Sequence, residues 1–310
     1  MIRFVKNEEI DIPKWDRCIR EAVNSRIYAF SWYLNTVDTN WAALILNDYQ
    51  AVFPLALGQK MGISYTYQPV FTQQLGIFTP LLLTPQLVED FIKELIKISP
   101  LIQINLNSHN KIIGNYIRND KKINHELDLI SPYEVLKQSY SKNLKRNIKK
   151  AEKADLSIFK NVKPEAVIDL FRDNKGKEIR NLKDGDYLKL KRLAYKALKI
   201  QASQIWGVYT SDNSLCAAAI FVNDARRYTF LFSATNEEAR KNAAMPFLID
   251  AFIKENAGTK MIFDFEGSND KNLARFYRSF GSTVIPYPHV FYNNLKFPIN
   301  ILWKIKRILA

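Results

Sequence analysis

Three side chains late in the chain have the types and spacing that proton transfer requires. In IFDFE, from Ile262 to Glu266, the carboxylates Asp264 and Glu266 alternate with Phe263 and Phe265. A strand here would turn both acids one way and both rings into a core. A short helix follows, ending in Phe276-Tyr277-Arg278-Ser279-Phe280-Gly281. Two acids and a phenol supply a proton acceptor and a proton donor. Backbone N–H groups near Phe232 and Ser233, in the strand-like run RYTFLFSAT, could bind a negatively charged oxygen where that strand splays from its neighbour. The plainer reading puts Tyr277 in the core beside Phe276 and Phe280, and Glu266 in a cap or a surface ion pair with Arg275 or Arg278.

The second chemical signal is charge. The chain carries a net +14, and the excess is concentrated. Tyr140 to Lys199 hold 18 lysines and arginines against 8 acids. Within SYSKNLKRNIKKAEKA the cations recur at three- and four-residue steps, so a helix puts Lys145, Arg146 and Lys149 on one face and Leu144, Ile148 and Ala151 on another. Such a face is either simply solvated or a surface for an anion: cofactor phosphate, nucleic acid or acidic lipid. Arg275 and Arg278 are candidates for the same role.

Composition bounds what these residues can belong to. With 310 residues, 47% of them hydrophobic, the chain can bury a large core and form two domains. The two cysteines, Cys18 and Cys216, are far apart and read as free thiols of a reducing compartment. MIRFVKNEEID breaks into charge too early for a signal peptide, and no apolar run approaches the roughly 20 residues that cross a bilayer. The expectation is a cytoplasmic protein. His109, His125 and His289 are too scattered for a metal site or a triad, so no metal is expected.

The elements that must position these groups occur twice. PQLVEDFIKEL from Pro85 returns as PFLIDAFIKEN from Pro246, 161 residues later. Both read as amphipathic helices with proline in the first turn, where its missing N–H is tolerated. Upstream, the runs from Trp41 and Trp206 each read as a hairpin around a polar turn; downstream, LIQINL matches MIFDFE. This predicts an internal duplication: two mixed α/β domains, 1–135 and 136–310, the first a degenerate copy and the second bearing the basic entry helix and the active site. At the same offset Gln103 and Asn105 stand where the second half has Asp264 and Glu266.

Strands, then helix, then strand, twice over, resembles the GNAT acyltransferase superfamily, and the tandem arrangement resembles its FemAB-like branch. RFYRSFG is similar to the superfamily segment whose tyrosine protonates the leaving thiolate, which implies that role for Tyr277. The resemblance implies acyl or aminoacyl transfer from a thioester or activated ester to an amine, in cell-envelope or polysaccharide synthesis. It also implies an acyl-CoA pyrophosphate loop at Arg240-Lys241-Asn242-Ala243. There the usual glycines are missing and Pro246 removes an N–H, which leaves the donor open between acyl-CoA and aminoacyl-tRNA. Expected partners are an anionic small-molecule or lipid-linked substrate, with tRNA as a further candidate.

Two readings from other classes stand beside it. A non-catalytic nucleic-acid-binding protein would use the basic region and the chain's 15 tyrosines. A peripheral membrane protein would use the basic amphipathic tail LKFPINILWKIKRILA.

Overall fold

The protein is described by a computed structural model covering residues 1–60, 62–179, 182–267 and 269–296. The first half runs β1 (Ile2–Lys6), α1 (Ile12–Glu21), α2 (Ser31–Val37), β2 (Ala42–Leu46), β3 (Ala51–Lys60), β4 (Ile63–Tyr67), α3 (Pro85–Ile98), β5 (Leu101–Asn105) and β6 (Arg118–Asp128). Next come α4 (Tyr133–Gln138), α5 (Lys142–Glu152), β7 (Ser157–Lys160), α6 (Pro164–Asp173), α7 (Asp184–Lys199), β8 (Ser203–Tyr209) and β9 (Leu215–Asn223). The chain closes with β10 (Arg227–Thr235), α8 (Glu237–Asn242), α9 (Ala244–Asn256), β11 (Ile262–Asp264), α10 (Lys271–Arg278) and β12 (Thr283–Asn293).

Two compact units form. One is Met1–Lys122 with the segment that begins at Pro286; the other is Ile123–Ile285. The sheet of the first unit runs β1-β2-β3-β4-β5-β12, that of the second β7-β8-β9-β10-β11-β6. Strand for strand they follow one plan: three antiparallel pairings, then the parallel pairs β4–β5 and β10–β11, then an antiparallel closing strand. The fold is mixed α/β in both.

The closing strands are exchanged. Asp128, Leu127 and Glu126 of β6 face Ile262, Phe263 and Asp264 in the second unit, whereas β5 is completed by β12, Asn105 opposite His289. A division at 135/136 with everything later in the second domain is therefore not what the chain adopts. The split falls after Lys122, and from Pro286 onward β12 belongs to the first unit.

Local chemistry explains the elements. Thr84 caps α3 by accepting the Leu87 N–H at 3.2 Å, and Pro85 occupies the first turn. The matching helix α9 starts at Ala244, two residues before Pro246, because Ala243 takes a left-handed conformation (φ +58°) that breaks α8 from α9. β9 is buried from Cys216 to Val222, with Ala217, Ala218 and Ala219 at its centre. Such a run is the mark of a strand covered on both faces. On one face Phe221 stacks on Phe252 of α9, ring centroids 3.8 Å apart, with Trp206 and Phe263 beside them. Both cysteines are buried and free. Among the described residues no helix is long and apolar enough to cross a membrane.

Candidate functional site

In the second unit, β10 and β11 run parallel only from Arg227↔Ile262 to Thr229↔Asp264, while β10 stays paired with β9 as far as Thr235. A bulge between Phe230 and Phe232 marks where β10 changes course. Phe232 and Ser233 thus lie past the end of the parallel pairing, where β10 was expected to splay. The Phe232 ring packs on Phe171 at 4.7 Å.

The acids do not share an open face. Asp264 is 1% exposed: its Oδ1 accepts from Asn124 Nδ2 (2.9 Å) and from the Glu266 N–H (2.8 Å), and its other oxygen lies 3.8 Å from Arg227 Nη1. β11 ends at this residue. Glu266 and Gly267 both take left-handed conformations, φ +56° and +46°, and carry the chain off the strand, so alternation no longer governs Glu266. A side chain at Gly267 would collide with the Asn124 backbone at 2.6 Å. The expectation that Asp264 shares one face with Glu266 and takes part in proton transfer is corrected: it is an interior ion-pairing group.

Tyr277 is 6% exposed and sits among rings, 4.9 Å from Phe265, 5.8 Å from Phe276 and 6.0 Å from His125. Burial pushes its phenol well above the ordinary tyrosine value, and the negative charges of Glu266 and Asp264 push the same way. Tyr277 therefore keeps its proton at neutral pH, and in a proton transfer it would serve as the acid, not the base. His125, fully buried, is held below the usual histidine value by burial and then by Arg278.

The other face of α10 meets α5. Ser141 caps α5 by accepting the Leu144 N–H at 3.2 Å, and Leu144, Ile148 and Ala151 bury its apolar side. The Ser141 N–H donates to the Ser279 carbonyl at 2.9 Å, which ties the start of α5 to the end of α10. Ala274 and Tyr277 bury one side of α10; Asn272, Arg275, Phe276 and Ser279, at helical spacing, line a concavity of about 640 Å³ shared with Ser141, Asn143, Leu144, Arg146 and Asn147 of α5. Arg278 joins them. Among the described residues, three arginines and no carboxylate line this groove. The exposed Arg146 guanidinium is steadied by Asn143 Oδ1 at 3.1 Å.

Of the five cations expected to bind an anion, the fold brings Arg146, Arg275 and Arg278 together. Lys145 turns its ammonium to the Gln138 carbonyl at 3.0 Å, and Lys149 is exposed and outside the lining. The segment expected to hold pyrophosphate is the last turn of α8. There Lys241 pairs with Glu237 (3.2 Å), Asn242 donates to Glu238 (2.6 Å), Arg240 is exposed and Ala243 is buried. Phe297 to Ala310, most of the basic tail, lie outside the described residues. No group of three or more metal-ligating side chains occurs among the described residues.

Sequence reasoning missed a second concavity, in the first unit. It has a volume of about 250 Å³, and Tyr65, Tyr67, Gln68, Gln103, Asn105, Lys122 and His289 line it. Asn105 was visible as the match to Glu266. Its partners Lys122 and His289 arrive on β6 and β12, and nothing in sequence order announces that.

No protein-family model matches the sequence, and no curated protein matches it. Solved structures do. FemX superposes with a TM-score of 0.67 at 11% identity, covering 92% of this chain and 96% of its own. The C-terminal domain assigned to a lysylphosphatidylglycerol synthetase of Agrobacterium fabrum gives 0.54 at 12% identity, over 98% and 97%. L-PGS from Bacillus licheniformis gives 0.53 at 11% identity, over 84% and 87%. At these identities the likeness is one of fold. With two units built on one strand plan, each parallel pair joined through helices, the chain has the tandem fold of FemX.

Proposed function

We propose that the protein is an acyltransferase that moves an aminoacyl or related acyl group from a phosphate-bearing carrier to an amine. The observation that carries this reading is the α5–α10 groove, where Arg146, Arg275 and Arg278 converge with no carboxylate among the lining residues. Guanidinium forks match phosphate oxygens in geometry as well as charge. The name of one structural neighbour, the C-terminal domain assigned to a lysylphosphatidylglycerol synthetase, supports an aminoacyl group and a phosphate-bearing molecule as the reactants. The glycine-free, self-paired α8 segment favours an aminoacyl ester over acyl-CoA as donor.

In this reading the neutral amine attacks the ester carbonyl, forming the N–C bond as the C–O bond to the carrier breaks. Glu266, half-buried beyond the end of β11, takes the amine proton, and Tyr277 protonates the departing oxygen. The Phe232–Ser233 backbone, past the end of the parallel pairing, faces the developing oxyanion. Asp264 holds the Glu266 backbone and exchanges no proton.

A transfer assay tests the proposal. Radiolabelled aminoacyl-tRNA and acyl-CoA are supplied in separate arms to the protein with a cell-envelope extract as acceptor. Label should pass into a base-stable amide fraction, and Arg275→Glu/Arg278→Glu should reduce it at least tenfold. Transfer from neither donor overturns the reading, and anion binding without transfer would favour a non-catalytic nucleic-acid-binding or membrane-surface protein.

A further inference from the structure

We propose that the concavity at the end of β4 and β5 in the first unit is a second ligand site, which takes a small polar molecule through a carboxylate or phosphate group held by Lys122. It goes beyond the transfer reading and does not depend on it, since the residues belong to the other unit.

The warrant begins with what the matched position of the second unit contains. By strand register, Tyr65 stands where that unit has Arg227, Gln103 where it has Asp264, and Phe291 where it has Glu126. In the second unit these three are charged and satisfy one another: Arg227 lies 2.9 Å from Glu126 and 3.8 Å from Asp264, all buried. In the first unit that ion cluster is gone. A cavity takes its place, and one ammonium faces it.

Among the described residues Lys122 has no acidic partner. Its contact is Asn105 Oδ1 at 3.3 Å, and none of the described residues that line the pocket is a carboxylate. Burial alone lowers its pKa from the ordinary lysine value. A half-buried cation with no counter-charge among the described residues is unfavourable, and an oxyanion beside it offsets that cost.

The surrounding groups are already fixed. Asn105 Nδ2 donates to the Gln73 carbonyl at 2.9 Å, which sets the amide so that Oδ1 faces Lys122 and His289. His289 Nδ1 lies 2.8 Å from that oxygen and so carries its proton there. The Asn105 N–H donates to Gln68 Oε1 at 2.9 Å, and Gln68 Nε2 donates to the Thr72 carbonyl at 2.8 Å. Tyr65 and Tyr67, ring centroids 5.7 Å apart, form an aromatic wall. One cation, fixed amides, an imidazole and phenol faces suit a small hydrogen-bonding anion. The volume is below the roughly 300–1,000 Å³ of pockets for larger ligands.

Calorimetric titration of the full chain tests this with three probes: inorganic phosphate, glucose 1-phosphate and glucuronate. Binding of at least one sugar anion at a single site is expected. The sugar anion that binds more tightly distinguishes phosphate from carboxylate as the preferred group. Lys122→Gln should weaken that binding at least tenfold while melting at the same temperature as the parent or higher, and Arg275→Glu should leave it unchanged. Absence of binding by all three probes, or equal binding by Lys122→Gln, overturns the proposal.

Discussion

Arg227 of β10 and Glu126 of β6 form an ion pair at 2.9 Å with side chains only 8% and 11% exposed, and Asp264 approaches the same guanidinium at 3.8 Å. This pairing fixes the closing strand of the second unit from inside. Arg227→Met leaves two buried carboxylates without a counter-charge and should cost about 3–5 kcal/mol in urea unfolding, since removing one partner strands the other. The first unit supplies the control. Arg227→Tyr/Glu126→Phe/Asp264→Gln copies its Tyr65, Phe291 and Gln103 and should lie closer to the parent than Arg227→Met does. A single substitution costing under about 1 kcal/mol would show that the cluster contributes little.

The sequence made the repeated plan legible because its signals are local: periodicity in α3 and α9, polar turns between β2 and β3 and between β8 and β9. The exchange of β6 and β12 was not legible, because a closing strand carries no mark in its own residues of whether it will join β5 or β11. The same limit governed the site. Helical spacing was enough to put Arg146 on a basic face, and Arg275 and Arg278 stood beside it as candidates for the same anion. Asp264 was misplaced because its neutralising partner Arg227 comes from β10 and its amide partner Asn124 from β6, both invisible to a reading of IFDFE alone.

His125 gives a pH dependence of definite sign. Its folded pKa lies below the ordinary value of 6.5, so the native state favours neutral imidazole. Between that value and the lower folded one the unfolded chain binds more protons, and stability falls as pH drops below about 6.5. Thermal melting of the parent from about pH 7.5 to 5 should show this loss, and His125→Gln should flatten it within that window. Equal slopes would mean that His125 does not titrate there.

Glu266→Gln and Tyr277→Phe separate chemistry from scaffold. Each should lower transfer by about 10²- to 10⁴-fold with little change in carrier binding, the usual effect of losing a general base or acid. Both retain side-chain size, so urea midpoints should stay near the parent. Full turnover by Tyr277→Phe would return this residue to the aromatic cluster formed with Phe230 and Phe265.

The arginine groove is the central claim, and the salt dependence of carrier binding tests it most directly. Anisotropy of a fluorescent tRNA pool, measured against salt concentration, should give a log–log slope of about −2 to −3 if three arginines release phosphate counterions. Each of Arg146→Gln, Arg275→Gln and Arg278→Gln should make the slope shallower by about 1, and the triple variant should retain almost none of it. A triple variant with the parent's slope and affinity would contradict the account.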